Sequence, residues 1–359
     1  MDSGAKGPGG VLELEDGTIF EGSLFGRVGH TDGEVVFNTG MIGYVESLTD
    51  PSYSGQILTF TYPLMGNYGV PSWDRGRFES NRVQVRGIIV SDLIREHSHW
   101  ESDKGLHEWL EESGIVGISG IDTRELTKVL RERGTMLGRI YPKEEAPEGF
   151  EVEDPNLSHL VAGVSVTGSE EYEGDGPHIA VIDCGCKRSI VSSLRERGCS
   201  VTVVPHDHDL AGIDYDGVLI SNGPGDPAIC GETIRTVKGL LDRNVPTGGI
   251  CLGCQLIALA AGGRTYKLPF GHRSHNQPCE EVGTKHCIIT SQNHGYAVDD
   301  SSLPEGWEIW HRNLNDGTVE GIRHSSKPFM AVQFHPEASP GPTDPRGFFD
   351  MFLEVVRRG

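Results

Sequence analysis

A cysteine between two glycines is the first candidate for chemistry in this sequence. In Gly249-Ile250-Cys251-Leu252-Gly253, it follows an apolar stretch and precedes a predicted helix. A nucleophile on so sharp a strand-to-helix turn needs small neighbours, because the strained backbone leaves little room for side chains. The N-terminus of the helix would favour the thiolate and offer backbone donors to an oxyanion. The alternative interpretation is a buried structural cysteine at a strand end.

A histidine and a glutamate near the end of the chain supply the groups that such a cysteine requires. They form the sequence His335-Pro336-Glu337. A cysteine nucleophile needs a base, and the base needs an orienting group. In extended backbone, side chains repeat every two residues, so Glu337 can face the imidazole and fix its tautomer. A loop histidine beside a solvated glutamate is the alternative, but the two motifs together favour a triad of Cys251, His335 and Glu337.

The elements that must position these residues alternate between short apolar strands and amphipathic helices. We predict strands at residues 179–183, 201–205, 217–221 and 245–250, with helices at 188–197, 232–243 and 255–261. This alternation predicts an α/β domain with a doubly wound, mostly parallel sheet. Functional residues on such sheets lie at the carboxyl ends of strands, which is where Cys251 falls.

The first part of the chain predicts a smaller, strand-rich α/β domain. Strands are expected at residues 11–14, 18–20, 33–38, 56–61 and 85–90, and helices at 106–112 and 123–133. Asp16-Gly17 signals a hairpin, Asp122 or Thr123 can cap the second helix, and Gly134 ends it. Little periodicity in the next segment indicates a linker with a short ordered piece at 157–164. The expected divisions are 1–150, 151–177 and 178–359.

Charge and composition restrict the classes of partner. Acidic residues outnumber basic ones by 52 to 31, giving a formal net charge of −21. Nucleic acid is therefore not an expected partner, because phosphate binding needs a basic face. No apolar run approaches the length of a membrane span, and residues 1–10 lack the pattern of a signal peptide. We expect a cytoplasmic protein that acts on a small neutral or zwitterionic substrate.

The eight cysteines predict free thiols in a reducing compartment. Cys251 and Cys254 have the spacing of a redox or zinc motif, but the glycine-flanked turn disfavours a thioredoxin-like role. The remaining cysteines lack familiar zinc spacing. His206-Asp207-His208-Asp209 is interpreted as a solvated loop. We predict no metal site and assign no chemistry to residues 271–278.

At these motifs the sequence resembles the class I glutamine amidotransferases, and nearly the whole chain resembles the small, glutaminase subunits of carbamoyl-phosphate synthetases. In the second half, the resemblance rests on SNGPGDP at 221–227, GICLG at 249–253, QNHGYAVD at 292–299 and HPEASPGP at 335–342. In the first half, it rests on EVVFNTGM at 34–41, GY at 43–44, TDPSY at 49–53, YP at 62–63, GNYG at 66–69 and GIDTR at 120–124. Other amidotransferases lack this first domain.

The resemblance implies a flavodoxin-like second domain and a role for each matching residue. Cys251 would attack glutamine and form a γ-glutamyl thioester, with His335 as acid and base and Glu337 orienting it. The backbone N–H groups of Gly223 and Leu252 would form the oxyanion hole. The remaining substrate-binding positions implied by the resemblance are Ser52, Gly225, Gln255, Asn293, Gly295 and Tyr296.

The resemblance also implies a partner. The ammonia released from L-glutamine would pass to a large subunit that makes carbamoyl phosphate from bicarbonate and ATP. No cofactor is expected in this chain, and ATP and Mg²⁺ are expected on the large subunit. Cys254 departs from the family, many members of which carry histidine there, and this leaves the packing beneath the turn open. A stand-alone γ-glutamyl hydrolase or peptidase and a catalytically silent regulatory subunit are the alternatives.

Overall fold

The computed structural model describes residues 7–75 and 78–358 of the 359-residue chain. Residues 1–6, part of the Gly-rich start considered above, lie outside the described residues. The chain divides into two units, Met1–Asn156 and Leu157–Gly359. This division falls within residues 151–177, the segment for which we expect a linker.

The strands of the first unit are β1 (Gly9–Leu14), β2 (Ile19–Gly26), β3 (Thr31–Asn38), β4 (Gln56–Phe60), β5 (Leu64–Met65), β6 (Val70–Pro71), β7 (Gly87–Ile89), β8 (Asp92–Leu93), β9 (Ser102–Lys104), β10 (Val116–Ser119) and β11 (Met136–Pro142). Seven of them form a closed barrel with the order β1-β11-β3-β4-β7-β10-β2, while β5 pairs with β8 and β6 pairs with β9. The strand-rich first domain is confirmed. The closure of the barrel was not predicted, because it depends on pairs such as β1 with β11 that lie far apart in the sequence.

Local signals explain the confirmed elements of this unit. The hairpin between β1 and β2 turns at Gly17, whose φ of +83° suits glycine. The helices are α1 (Tyr44–Thr49), α2 (Leu106–Glu112) and α3 (Thr123–Arg133). Asp122 caps α3, since its Oδ1 accepts a hydrogen bond from the N–H of Glu125 at 2.9 Å. The predicted bounds of α2 and α3 agree with the structure.

The second unit contains a ten-stranded sheet with order β12-β14-β13-β15-β16-β21-β20-β19-β17-β18. Its strands are β12 (Glu170–Tyr172), β13 (His178–Asp183), β14 (Ser200–Pro205), β15 (Gly217–Ile220), β16 (Thr247–Ile250), β17 (Thr265–Glu281), β18 (Cys287–Val298), β19 (Trp307–Asn313), β20 (Val319–His324) and β21 (Phe329–Val332). Strands β14, β13, β15 and β16 pair in parallel, as predicted, and β21, for which no strand was predicted, pairs in parallel with β16. The antiparallel extension beyond β21 was not predicted.

Helices cover both faces of the parallel strands, which makes the sheet doubly wound. They are α4 (Arg188–Arg195), α5 (Gly231–Asp242), α6 (Leu252–Ala260) and α7 (Gly347–Arg358). Successive residues of β13 point to opposite faces. Ala180 and Ile182 join one buried core with residues of α5 and α6, whereas Ile179 and Val181 join another with residues of α4 and α7.

Residues 151–177 contain more order than the composition suggests. Short 3₁₀ turns lie at Pro155–Leu157 and Leu160–Gly163. Strand β12 then pairs antiparallel with β14, so this segment contributes the outermost strand of the sheet. Across residues 7–75 and 78–358, none of the helices combines the length and apolar character that a membrane crossing requires.

The turn from β16 to α6 carries Cys251 in a backbone conformation that L-residues rarely adopt, with φ +54° and ψ −104°. Two glycines make the turn possible. A Cβ at Gly249 would lie 2.7 Å from the backbone of Gly253, and a Cβ at Gly253 would lie 2.2 Å from the carbonyl oxygen of Ile220. The predicted small-x-Cys-x-small turn is confirmed, and its glycines are required by close backbone approach.

We predict that Gly253→Ala lowers the free energy of unfolding by about 1–3 kcal/mol, because the new methyl group overlaps a backbone oxygen. The matched control is Gly239→Ala in the interior of α5, where a Cβ would meet nothing within 4 Å. It should stabilise the protein by about 0.5–1 kcal/mol through helix propensity. Urea denaturation measures both, and equal effects of the two substitutions would contradict this account of the turn.

Candidate functional site

Cys251 lies at the carboxyl end of β16, where three strands hold its backbone and side chain. The residue is 2% exposed. Its N–H donates to the carbonyl of Val332 at the end of β21 at 2.8 Å. Its Sγ lies 3.7 Å from the carbonyl oxygen of Asn293 in β18. The sulfur is therefore fixed in a nearly closed site between β16, β18 and β21.

The chain leaves β21 directly into the segment that carries His335 and Glu337. The N–H of His335 donates to the carbonyl of Ser291 at 2.9 Å, which ties this segment to β18. His335 Nδ1 donates to Glu337 Oε1 at 2.6 Å, as the alternation of side chains predicts. Because Glu337 occupies Nδ1, Nε2 is the ring nitrogen left to exchange a proton with Cys251.

A buried lysine that the sequence analysis missed completes the charge arrangement. The Nζ of Lys187 donates to Glu337 Oε1 at 2.8 Å and also to the carbonyl of Ser339. Its backbone N–H donates to Asn222 Oδ1 at 3.1 Å. The side chains of Lys187 and Glu337 are 3% and 0% exposed. The position of Lys187, shortly after β13 at the carboxyl edge of the sheet, was a sequence signal for a functional residue. It was not decisive, because many lysines at such places are solvated.

These charges shift the pKa values of both partners of Cys251. Burial alone would raise the pKa of Glu337, but the positive charges of Lys187 and His335 outweigh burial and lower it to about 2. Burial alone would lower the pKa of His335, but the negative charge of Glu337 and the neighbouring Cys251 sulfur raise it to about 10. The arrangement therefore holds an imidazolium beside the cysteine at neutral pH.

His275 is a second residue near the site that the sequence analysis missed. Burial, and then the positive charges of Lys187 and His335, lower its pKa to about 4. His275 is therefore neutral at physiological pH. It lies in residues 271–278, to which we assigned no chemistry, and no local motif marks its proximity to His335.

The two residues whose N–H groups are expected to form the oxyanion hole lie side by side. A Cβ at Gly223 would lie 2.1 Å from the carbonyl oxygen of Cys184 and 2.7 Å from Leu252 Cδ2, so only glycine fits. Leu252 is the first residue of α6, so its N–H has no acceptor within its own helix. Gly225 has φ +84°, and a Cβ there would lie 3.3 Å from Leu160.

Four further predicted residues lie on α6 and β18. Gln255 is buried, and its Nε2 donates to the carbonyl of Tyr296 at 2.8 Å and to Gln333 Oε1 at 3.0 Å. The carbonyl of Asn293 faces the Cys251 sulfur. Gly295 and Tyr296 follow on the same strand and are partly exposed. These contacts place the Asn293 carbonyl against the Cys251 sulfur and the Tyr296 carbonyl against Gln255, which lies one helical turn after Cys251. The roles of these residues toward glutamine stay predictions.

The remaining predicted residue, Ser52, belongs to the first unit. It is 6% exposed and lies in the 3₁₀ turn Pro51–Tyr53, where its N–H donates to Asp50 Oδ1 at 2.9 Å. Asp50 caps this turn, which explains the local fold of the Thr49-Asp50-Pro51-Ser52-Tyr53 motif. Its role in binding substrate stays a prediction.

All eight cysteines are free, as predicted. Cys254 lies on α6 and is fully buried, and burial together with the charge of Glu320 raises its pKa well above the ordinary value. A neutral, buried thiol is a packing residue and a poor nucleophile. The Cys251-x-x-Cys254 spacing therefore reflects one turn of helix and not a redox pair.

We predict that Lys187→Met lowers the free energy of unfolding by about 3–5 kcal/mol at pH 7, because it leaves Glu337 charged, buried and without its lysine partner. The pKa of Glu337 is lowered, so its stabilising contribution is present above the ordinary value of 4.5 and is lost as pH falls through about 2. The difference in free energy of unfolding between the variant and the parent should therefore become smaller as pH falls from about 4.5 to about 2.

Urea denaturation between pH 2 and pH 8 measures this difference. Lys238→Met is the control, because Lys238 pairs with Asp242 on the surface of α5. It should change the free energy of unfolding by no more than about 0.5 kcal/mol. A Lys187→Met variant as stable as this control would contradict the proposed ion pair.

Comparison with protein families agrees with this geometry. Residues 180–355 match the family Glutamine amidotransferase class-I. Residues 12–140 match the family Carbamoyl-phosphate synthase small chain, CPSase domain. The first match contains Cys251, His335 and Glu337, and the second covers most of the barrel unit.

Individual relatives are similar to this chain over nearly its whole length. The Carbamoyl phosphate synthase arginine-specific small chain of Neosartorya fischeri is 48% identical over 361 residues, covering 97% of this chain and 80% of that protein. Multifunctional protein CAD of Squalus acanthias and Multifunctional protein pyr1-3 of Dictyostelium discoideum are each 46% identical and cover 97% of this chain. This chain spans only 16% and 17% of those two proteins. The chain belongs to the carbamoyl-phosphate synthase small chain family and is a glutamine amidotransferase subunit.

Proposed function

We propose that this chain hydrolyses L-glutamine to glutamate and ammonia through a thioester on Cys251. The observation that carries the proposal is the buried line of Lys187, Glu337 and His335 beside a cysteine on a strained turn. An imidazolium at neutral pH stabilises a neighbouring thiolate, which is the nucleophilic form of cysteine.

In the first step, the sulfur attacks the carboxamide carbon of glutamine, and the carbonyl oxygen becomes an oxyanion. The N–H groups of Gly223 and Leu252 would stabilise this charge. Their proximity and the position of Leu252 at the start of α6 support this role. His335 Nε2 then donates its proton to the leaving nitrogen, the C–N bond breaks, and ammonia departs. The product that remains on the protein is a γ-glutamyl thioester.

In the second step, water hydrolyses the thioester. Neutral His335 takes a proton from the water, whose oxygen attacks the thioester carbon. The C–S bond breaks, glutamate leaves, and the imidazolium and thiolate return. Glu337 keeps Nδ1 protonated throughout, so that Nε2 performs each transfer.

The amino-acid end of glutamine requires both donors and acceptors. Both hydrogens of Gln255 Nε2 are donated within the protein, so its Oε1 is the atom that would accept from the substrate ammonium. Glycine at 225 and 295 permits close approach of backbone groups to the substrate. We propose that Asn293, Tyr296 and Ser52 complete this binding.

The ammonia would be consumed by a large subunit that holds ATP and Mg²⁺ and makes carbamoyl phosphate from bicarbonate. The relatives named as small chains support such a partner. In two relatives named as multifunctional proteins, a segment similar to this chain spans only 16% and 17% of the polypeptide, so further functions lie in the same chain. Glutaminase activity should be weak in this chain alone and strongly increased by a carbamoyl-phosphate synthetase large subunit.

We predict that Cys251→Ser reduces glutamine-dependent carbamoyl phosphate synthesis by this complex at least about 10⁴-fold, because serine is the weaker nucleophile beside the imidazolium. Synthesis from added ammonia should continue within about twofold of the parent rate. A coupled assay for carbamoyl phosphate with each nitrogen source measures both.

Cys254→Ala is the matched control, since it removes a thiol one helical turn away and should retain most glutamine-dependent activity. Glutamine-dependent synthesis that survives Cys251→Ser would refute the thioester route. High glutaminase activity without a partner would favour a stand-alone hydrolase. No activity in either setting would favour a silent subunit.

A further inference from the structure

Three buried side chains outside the triad converge behind the strand that faces Cys251. His272 on β17, His294 on β18 and Glu320 on β20 each offer one ligand atom, and these atoms all lie within 4.8 Å of one another. His272 Nδ1 lies 3.3 Å from Glu320 Oε1, and His294 Nε2 lies 3.7 Å from the same oxygen. The three side chains are 8%, 1% and 0% exposed.

Each imidazole is oriented by an acceptor on its opposite side. His272 Nε2 donates to Asp316 Oδ2 at 2.8 Å. His294 Nδ1 lies 2.8 Å from the carbonyl oxygen of Tyr296, which can only accept, so this nitrogen carries a hydrogen. Its other ring nitrogen, Nε2, is the atom that faces Glu320 Oε1, at 3.7 Å. Histidines that bind metals are oriented in this way by carboxylates and backbone carbonyls.

The centre of the cluster holds more acceptors than the surrounding protein satisfies. Within the described residues, Glu320 Oε2 has no hydrogen-bond partner although the side chain is fully buried. Gln292 Oε1 also faces His294 Nε2, at 3.3 Å. The amide of Asn313 supplies only two hydrogens for four acceptors, which lie 3.2–3.5 Å away.

A positive charge at this place would offset the buried carboxylate of Glu320. His272 Nδ1 and His294 Nε2 both face Glu320 Oε1, at 3.3 and 3.7 Å. The second carboxylate oxygen, Oε2, has no donor among the described residues. A divalent cation at the centre would bind all three groups at once.

We propose that His272 Nδ1, His294 Nε2 and Glu320 bind one Zn²⁺ ion. Two imidazole nitrogens and one carboxylate are a familiar zinc ligand set. Bonds of about 2.1 Å in tetrahedral geometry place ligand atoms roughly 3.4 Å apart. This is close to the 3.3 and 3.7 Å that separate the two imidazole nitrogens from Glu320 Oε1. Gln292 Oε1, which lies 3.3 Å from His294 Nε2, or a water completes the coordination.

The proposed site lies next to the glutaminase centre but does not depend on its mechanism. Asn293, whose carbonyl faces the Cys251 sulfur, directly precedes the ligand His294. The carbonyl of Tyr296 contacts both Gln255 Nε2 and His294 Nδ1. Bound zinc would therefore stabilise residues 292–296 and, because it binds only the folded chain at this geometry, would raise the melting temperature.

The test is metal binding by the full chain in a Cys287→Ser background, which removes the exposed thiol. After chelator treatment, equilibrium dialysis against Zn²⁺ should give one ion per chain. Co²⁺ in its place should show the visible absorption of a tetrahedral nitrogen and oxygen site without a thiolate charge-transfer band. Glu320→Gln and His272→Asn should each weaken binding about 100-fold or more, because each removes a ligand.

Glu308→Gln, an exposed carboxylate on β19, is the control and should bind like the parent. Circular dichroism without metal checks that each variant folds. Asp316 orients His272 through Oδ2 and accepts from Thr318 through Oδ1. If the ligand variants do not fold, Asp316→Asn, which removes no ligand but weakens the acceptor of His272 Nε2, should still weaken binding about 10–100-fold. Absence of stoichiometric Zn²⁺ in the parent, unchanged binding in folded ligand variants or Asp316→Asn, or a thiolate band with Co²⁺ would overturn the proposal.

Discussion

The fully buried carboxylate of Glu337 is the interaction on which the second unit's chemistry depends. Its Oε1 accepts from His335 Nδ1 at 2.6 Å and from Lys187 Nζ at 2.8 Å, and all three side chains are at most 3% exposed. Removing such charges from water costs several kcal/mol for each ion. The site tolerates this cost because two cations share one anion, and Lys187 is itself held by Asn222 and the carbonyl of Ser339.

The fold supplies this arrangement from segments that meet at the carboxyl edge of the parallel strands. Lys187 follows β13, Cys251 follows β16, and His335 follows β21. The Lys187 ammonium, the Glu337 carboxylate and the His335 imidazole are therefore neighbours beside Cys251. The position of the Cys251 sulfur is set by a strained backbone and by close glycine contacts. The carboxylate that orients His335 through a hydrogen bond also raises its pKa, chiefly through its negative charge.

The features that the sequence predicted correctly are those determined by residues close together in the chain. The turn around Cys251, the hairpin at Gly17 and the bounds of α3 depend on glycine conformations, capping and periodicity within a few residues. The closed barrel and the antiparallel extension of the sheet depend on pairing between distant strands, which periodicity does not encode. Lys187 and the cluster around Glu320 were not predicted for the same reason. Their ion pairs and hydrogen bonds join buried residues that lie far apart in the sequence.

The central claim is that His335 carries a positive charge at neutral pH because buried Glu337 requires it. The most direct measurement is a ¹⁵N NMR titration of the imidazole ring in histidine-labelled protein, with the signal assigned through His335→Asn. The account predicts an imidazolium at pH 7 that titrates near pH 10. A ring that is neutral at pH 7 and titrates near the ordinary value of about 6.5 would contradict it.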